Sequence, residues 1–168
     1  SQSARLVRLQ VVCPDIIRVE ATAETAFPAK QSLVIVPQQA FTAYSVSESG
    51  GTVEVKTAHV RARVDGTTGR VTFLDADGHT LLSEACQGGK TFTPYIVPAA
   101  DTGVGKLTDT QRKAWSWRML FDSPADEAFY GLGQHQAEEL NMKGKNEDLF
   151  QYNTKISVPF VVSNKGYG

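Results

Sequence analysis

Val60-Arg61-Ala62-Arg63-Val64-Asp65-Gly66-Thr67-Thr68-Gly69-Arg70-Val71-Thr72-Phe73 is the stretch on which the fold turns. Val60, Ala62 and Val64 alternate with Arg61 and Arg63, so one face of a strand is apolar and the other is wet. Asp65-Gly66-Thr67-Thr68-Gly69 then supplies hairpin-loop chemistry, and Val71 and Phe73 resume the alternation. A strand, a glycine-bearing turn and a second strand in fourteen residues predict an antiparallel pair.

The same grammar extends in both directions. Asp75-Ala76-Asp77-Gly78 reads as the next hairpin loop, and Glu48-Ser49-Gly50-Gly51 as an earlier one ahead of Val53/Val55 against Glu54/Lys56. Near the start, Val7, Leu9, Val11 and Cys13 alternate with Arg8 and Gln10, and Ile17, Val19 and Ala21 with Arg18 and Glu20. Later, Trp115, Trp117, Met119 and Phe121 share a face opposite Ser116, Arg118 and Asp122, a pattern that predicts burial of both tryptophans. Short strands at this spacing predict an all-β chain built as an antiparallel β-sandwich with little helix. Gln136 to Met142 is the one candidate for a short helix, and Pro98 to Thr110 reads as a surface loop.

Length and charge bound the function. The 168 residues read as a single domain, 1–168, large enough for a proper core. Lys and Arg number 17 against 18 Asp and Glu, and they are scattered, which argues against nucleic acid or an anionic membrane as partner. No apolar run is long enough for a transmembrane helix, so no membrane insertion is expected. Ser1 in place of a methionine reads as a processed or engineered N-terminus. Cys13 and Cys86 read as separate buried thiols, with a disulfide as the alternative in an oxidising compartment.

No complete set of catalytic groups stands out. Glu138-Glu139 and Glu147-Asp148 are the densest carboxylates, and both read as solvated loop. His59, His79 and His135 are not at metal-ligand spacing from one another or from a cysteine, so no metal is expected. Asp75-x-Asp77-Gly78 lacks the later oxygen ligands of a calcium loop and reads as a turn. Gly131-Leu132-Gly133 lacks the third glycine of a dinucleotide fingerprint and the Lys-Ser/Thr of a P-loop, so it reads as a tight turn below aromatics. No cofactor is implied. Gln134, His135 and Gln136, then Gln151, Asn153 and Thr154, gather uncharged hydrogen-bonding groups beside aromatics, the chemistry that pairs with sugars.

The final quarter carries a more specific pattern. Phe129-Tyr130-Gly131-Leu132-Gly133-Gln134, Asn153-Thr154, Ile156-Ser157-Val158-Pro159-Phe160 and Gly166-Tyr167-Gly168 follow in order. Together they resemble glycoside hydrolase family 31, the family of α-glucosidases and α-xylosidases, at its N-terminal galactose mutarotase-like β-sandwich. The resemblance implies a parent acting on an oligosaccharide or other α-glycoside by a retaining mechanism. Its two catalytic aspartates would lie on a (β/α)8 barrel following the sandwich in the same chain, so no catalytic residue is expected among these 168. It implies further that Phe150 to Thr154 form a loop at the rim of the sugar pocket, with Asn153 and Thr154 as substrate contacts and Gln151 as a lesser one. Family α-glucosidases often carry Asp before the Thr. Asn153 departs from that form towards the α-xylosidase-like one.

The alternatives are a freestanding aldose mutarotase, using His135 with Glu138 or Glu139 as acid and base, and a stand-alone carbohydrate-binding module. A domain that packs on a barrel should show an exposed apolar patch. Pro159, which cannot donate to a ladder, predicts a sheet edge or bulge inside the apolar run 156–162. A periplasmic or secreted location is compatible with a polysaccharide-degrading parent.

Overall fold

The computed structural model describes residues 1–29, 33–36, 39–87, 89–97, 113–136 and 138–168. Its strands are β1 (Gln2–Ser3), β2 (Leu6–Cys13), β3 (Ile16–Thr22), β4 (Ser45–Ser49), β5 (Thr52–Lys56), β6 (Val60–Asp65) and β7 (Val71–Asp75). They continue with β8 (Thr80–Glu84), β9 (Lys90–Ile96), β10 (Lys113–Met119), β11 (Phe121–Asp122), β12 (Phe129–Gln134) and β13 (Ile156–Ser163). Every pairing is antiparallel, and the described residues contain no helix. The architecture is all-β, as the alternation predicts. The chain forms two compact units, Ser1–Asp122 and Ser123–Gly168.

In the first unit, a six-stranded sheet of order β11-β8-β7-β6-β5-β4 is a run of hairpins. The opening stretch lies at its centre. Val53 faces Val64 and Val64 faces Val71, while Val55 faces Ala62 and Ala62 faces Phe73. Six apolar side chains thus share one face, and Val55, Ala62 and Val71 are buried. Each buried valine contributes roughly 1.5–3 kcal/mol of transfer free energy. Asp65 closes the β6–β7 turn by accepting the Thr67 and Thr68 amides on Oδ1 at 2.9 and 2.7 Å. Asp75 does the same at the next turn for the Asp77 and His79 amides. A pair β2–β3 carries its wet face outward, where Arg8 Nε donates to Glu20 Oε2 at 2.6 Å.

A three-stranded sheet β1-β9-β10 completes the unit. Strands β8 and β10 both leave their sheets at one place. Leu120 donates to Gly89 O at 2.8 Å and accepts from Ala85 N at 2.9 Å, so β9 and β10 pair in one sheet while β8 and β11 pair in the other. The single strand expected from Trp115 to Phe121 is therefore broken at Leu120. The burial prediction is met only in part. Trp115 meets Phe92 edge-to-face at 6.4 Å and donates Nε1–H to Glu24, but Trp117 remains 64% exposed and Phe121 45%.

A charged cluster is buried beside this crossing. Glu84 and Lys90 form an ion pair with side chains only 3% and 4% exposed. Lys90 Nζ also donates to Gly69 O at 2.8 Å, and Glu84 Oε2 accepts the Val71 amide at 3.1 Å. Arg70 donates to Glu84 O at 2.6 Å and pairs with Asp122. An open cleft of about 230 Å³ borders them, lined also by Ser3, Thr67 and Cys86. Cys86 is exposed in the β8–β9 turn and Cys13 half-buried, both free, so the reading of two buried thiols is corrected. The predicted loop Pro98 to Thr110 lies outside the described residues.

The second unit is the pair β12–β13 with the segment between them. Two expectations change here. The Gly131-Leu132-Gly133 stretch is strand rather than turn. Gln136 to Met142 is non-helical at its described residues, because the Met142 amide donates to Phe129 O and Asn141 Oδ1 takes the Phe129 and Lys143 amides. Glu127, although it lies in the polar stretch 122–127, is buried at 3% exposure. The apolar run 156–162 is open on one side, with Ile156, Val158, Phe160 and Val162 all between 43% and 55% exposed. That row is the exposed apolar patch expected of a domain that packs on another.

Candidate functional site

The site residues lie between β12 and β13, and the bulge in that pairing governs where they sit. Gly131 faces Val161 and Gly133 faces Ser157, so Leu132 alone opposes Val158, Pro159 and Phe160. Pro159 falls inside this bulge, where no ladder bond is asked of it. The glycines are required by proximity: a Cβ on Gly131 would lie 2.4 Å from Phe160 O, and one on Gly133 2.0 Å from Ile156 O. Leu132 between them has φ 65°, and among the described residues it is the one non-glycine with positive φ. That conformation costs roughly 1–2 kcal/mol and persists only where its surroundings hold it.

What holds it is a histidine. His135 Nε2–H donates to Leu132 O at 2.7 Å, and the side chain is 8% exposed. Its Nδ1 lies 3.2 Å from Glu147 Oε1, off line for a hydrogen bond. The same Glu147 oxygen receives Lys155 Nζ, which also donates to Asp148 O. The Lys155 hydrogen bond, above all, and the neighbouring His135 charge hold the Glu147 carboxyl below the usual carboxylate range, against partial burial. Glu147 at 17% side-chain exposure is therefore not the solvated loop residue expected, whereas Glu139 is, in an exposed pair with Lys145. The structure brings His135 to Glu147 and not to Glu138 or Glu139, which removes the acid–base pair of the mutarotase alternative.

Lys155 leads directly to the predicted rim residues. Tyr152 and Lys155 form an isolated antiparallel bridge, with the Lys155 amide donating to Tyr152 O at 3.0 Å, and Asn153-Thr154 form the two-residue tip between them. Gln151, Asn153 and Thr154 are all exposed. Phe150 and Tyr152 stack at 6.3 Å with a 29° interplanar angle, and both are more than half exposed. The tip thus presents an amide and a hydroxyl beside open aromatic faces, groups that bind sugar hydroxyls and C–H faces. Phe150 and Tyr152 were legible only as neighbours of polar residues, since sequence does not show stacking.

The end of β13 is fastened by Glu127. It accepts from Ser163 Oγ at 2.6 Å, from Ser123 Oγ at 2.8 Å and from the Tyr167 hydroxyl. Burial alone raises the Glu127 carboxyl, but these three donors outweigh it and hold the group below its usual range. Tyr167 is pushed up to about 12, by burial first and by the Glu127 bond second. The two signs bound stability from opposite sides. Glu127 contributes above the ordinary carboxylate value of about 4.3 and loses its contribution as pH falls through its lower folded value. Tyr167 contributes fully below the ordinary phenol value of about 10. Its contribution is lost as pH rises from there through about 12. Tyr167→Phe should therefore show a shallower fall in urea midpoint than the parent chain between those alkaline limits. Equal slopes for the two proteins would remove Tyr167 from the account.

Among the described residues, Asp75, Asp77 and His79 form the one group close enough to share a metal. Asp75 is already occupied by its turn hydrogen bonds, and the group has the geometry of a hairpin.

A model of the glycosyl hydrolase 31 N-terminal galactose mutarotase-like domain matches residues 6–168. The solved GH31 α-xylosidase from Xanthomonas citri is 42% identical, with a TM-score of 0.80, over 95% of this chain and 16% of that one. A GH31 α-xylosidase from a soil metagenome, solved with xylose, is 25% identical with a TM-score of 0.73, over 95% of this chain and 24% of that one. A family 31 glucosidase of Pseudescherichia vulneris, itself uncharacterized, is 25% identical over 98% of this chain and 32% of its own length. The chain spans about a third or less of the curated relatives it matches.

Proposed function

The chain belongs to the glycosyl hydrolase 31 N-terminal galactose mutarotase-like domain family, and on that premise we propose that it is the accessory domain of a retaining α-glycoside hydrolase of α-xylosidase or α-glucosidase type. In this reading residues 1–168 act as one accessory part of the enzyme. They pack on a (β/α)8 barrel that carries both catalytic aspartates and lend the 150–154 loop to the rim of the sugar pocket. The observation that carries it is the 42% identity to the Xanthomonas citri α-xylosidase over 95% of this chain.

Two features of the second unit support the assignment. The tip Asn153-Thr154 is exposed on a bridged turn, with Gln151 beside it, so all three side chains are free to meet a substrate. The open row Ile156, Val158, Phe160 and Val162 is a surface that a second domain would cover. Asn153 favours the xylosidase form of the reading through the family resemblance, where Asn before Thr is the α-xylosidase-like form and Asp the common α-glucosidase one.

The test is an assay of two proteins on aryl α-xyloside and aryl α-glucoside. The full-length enzyme should hydrolyse one of them with retention of configuration, the xyloside preferentially. The 168-residue chain alone should hydrolyse neither, since no carboxylate pair of glycosidase type faces a common space in the site described. Hydrolysis by the isolated chain would overturn the proposal. The exposed Trp117 favours one second reading, a carbohydrate-binding surface on β10, and binding of an oligosaccharide by the isolated chain, lost in Trp117→Ala, would establish it.

A further inference from the structure

We infer that Lys155, Glu147 and His135 are positioning residues that clamp the Asn153-Thr154 tip to the strained Leu132 bulge; as a statement about substrate binding, this rests on the pocket-rim reading above. The contacts run from the bulge to the tip, with hydrogen bonds at both ends and close approach without a hydrogen bond at the His135–Glu147 step. Leu132 holds a left-handed backbone, His135 Nε2–H takes its carbonyl at 2.7 Å, and His135 Nδ1 stands 3.2 Å from Glu147. Glu147 then takes the Lys155 ammonium, and the Lys155 amide closes the turn on Tyr152 O at 3.0 Å.

Burial separates this cluster from ordinary surface pairs. The side chains of His135, Glu147 and Lys155 are 8%, 17% and 11% exposed, whereas the nearby Glu139–Lys145 pair is close to half exposed on both sides. Exposed pairs position little, because water competes and the side chains keep their freedom. A desolvated pair with backbone acceptors at both ends is directional. Lys155 reaches back across the segment to Glu147 and the Asp148 carbonyl, so the tip is tied at its base by two acceptors on one side and by the β12 bulge beyond them. Among the described residues no hydrogen bond joins the Asn153 or Thr154 side chain to the cluster, so its effect on them passes through the turn backbone.

A rim residue that must meet one hydroxyl tolerates little displacement, and losing its hydrogen bond weakens binding by about tenfold. Losing the clamp should therefore act on substrate affinity through Asn153 and not by itself.

The experiment has two arms. In the 168-residue chain, Lys155→Met and Glu147→Gln should shift and broaden the Asn153 and Thr154 amide resonances and speed exchange of the Lys155 amide. The Ser163 and Tyr167 amides at the far end of β13 should be unmoved, and Lys155→Arg should restore the parent spectrum. In the full-length enzyme, Lys155→Met should raise KM by about tenfold with little change in kcat, and should add almost nothing when Asn153 is already alanine. Unchanged Asn153 and Thr154 resonances in both charge-removing variants overturn the clamp. If those resonances move while Asn153→Ala leaves KM untouched, the clamp stands and the pocket-rim reading falls.

Discussion

Gly133→Ala should abolish the β12–β13 pairing. The new methyl would stand 2.0 Å from Ile156 O and 2.9 Å from Val158 N, both backbone atoms of the facing strand, so no side-chain rotation relieves the contact. Its φ of 103° also lies where a side chain is strained. Strand separation and conformational strain act together, and a loss of at least about 3 kcal/mol is expected. Gly144→Ala is the internal control. Its φ of 73° is left-handed too, but no atom lies within 4 Å of an added Cβ, so only the conformational cost of about 1–2 kcal/mol applies. Amide exchange at Tyr130 and Val162, partners in the ladder, reads the difference. Equal protection in the two variants would show that the close approach is not what requires glycine. Because Ile156 begins β13 directly after Lys155, the same substitution should also release the Asn153-Thr154 tip.

Lys90→Met should be the most damaging single change in the first unit. It leaves the Glu84 carboxylate, 3% exposed, with the Val71 amide as its remaining donor, and it also strips Gly69 O of the ammonium. Removing one partner of a buried pair costs about 3–5 kcal/mol, because the other charge stays desolvated. Adding Glu84→Gln should recover most of that loss, since a neutral amide oxygen still accepts from Val71 and no charge remains. Urea midpoints of the parent, the single variant and the double variant decide the matter. A single variant within about 1 kcal/mol of the parent would mean that water reaches Glu84 through the neighbouring cleft, and the pair would then count as surface electrostatics.

The strands and hairpins were legible because their information is local. Period-two alternation at Val53–Val64 and the Asp-Gly turns at 65–69 and 75–78 each need only neighbouring residues to act, and the structure places them as read. Pro159 was legible for the same reason: a residue without an N–H restricts the ladder wherever it lies. The ordered motifs from Phe129 to Gly168 carried the family, and the matched residues 6–168 extend it to nearly the whole chain. The reading of Asn153 and Thr154 as rim contacts rests on that resemblance, since their own chemistry marks them only as polar groups beside aromatics.

Pairings distant in sequence were not legible. Glu127 looks like one more charge in a polar stretch until Ser163 and Tyr167, some forty positions on, bring two hydroxyl donors to join that of Ser123. Glu147 looks solvated until Lys155 and His135 enclose it. Trp117 follows the alternation of a buried face, yet it stays open while Trp115 on the same face of the strand packs on Phe92. By itself, then, the sequence determined an all-β antiparallel chain, its main turns and its family, because dihedral preference and side-chain period act over a few residues. Tertiary structure alone decided which charges are buried, which aromatics are open and how the tip is held, because burial and charge pairing depend on what the folded chain brings alongside.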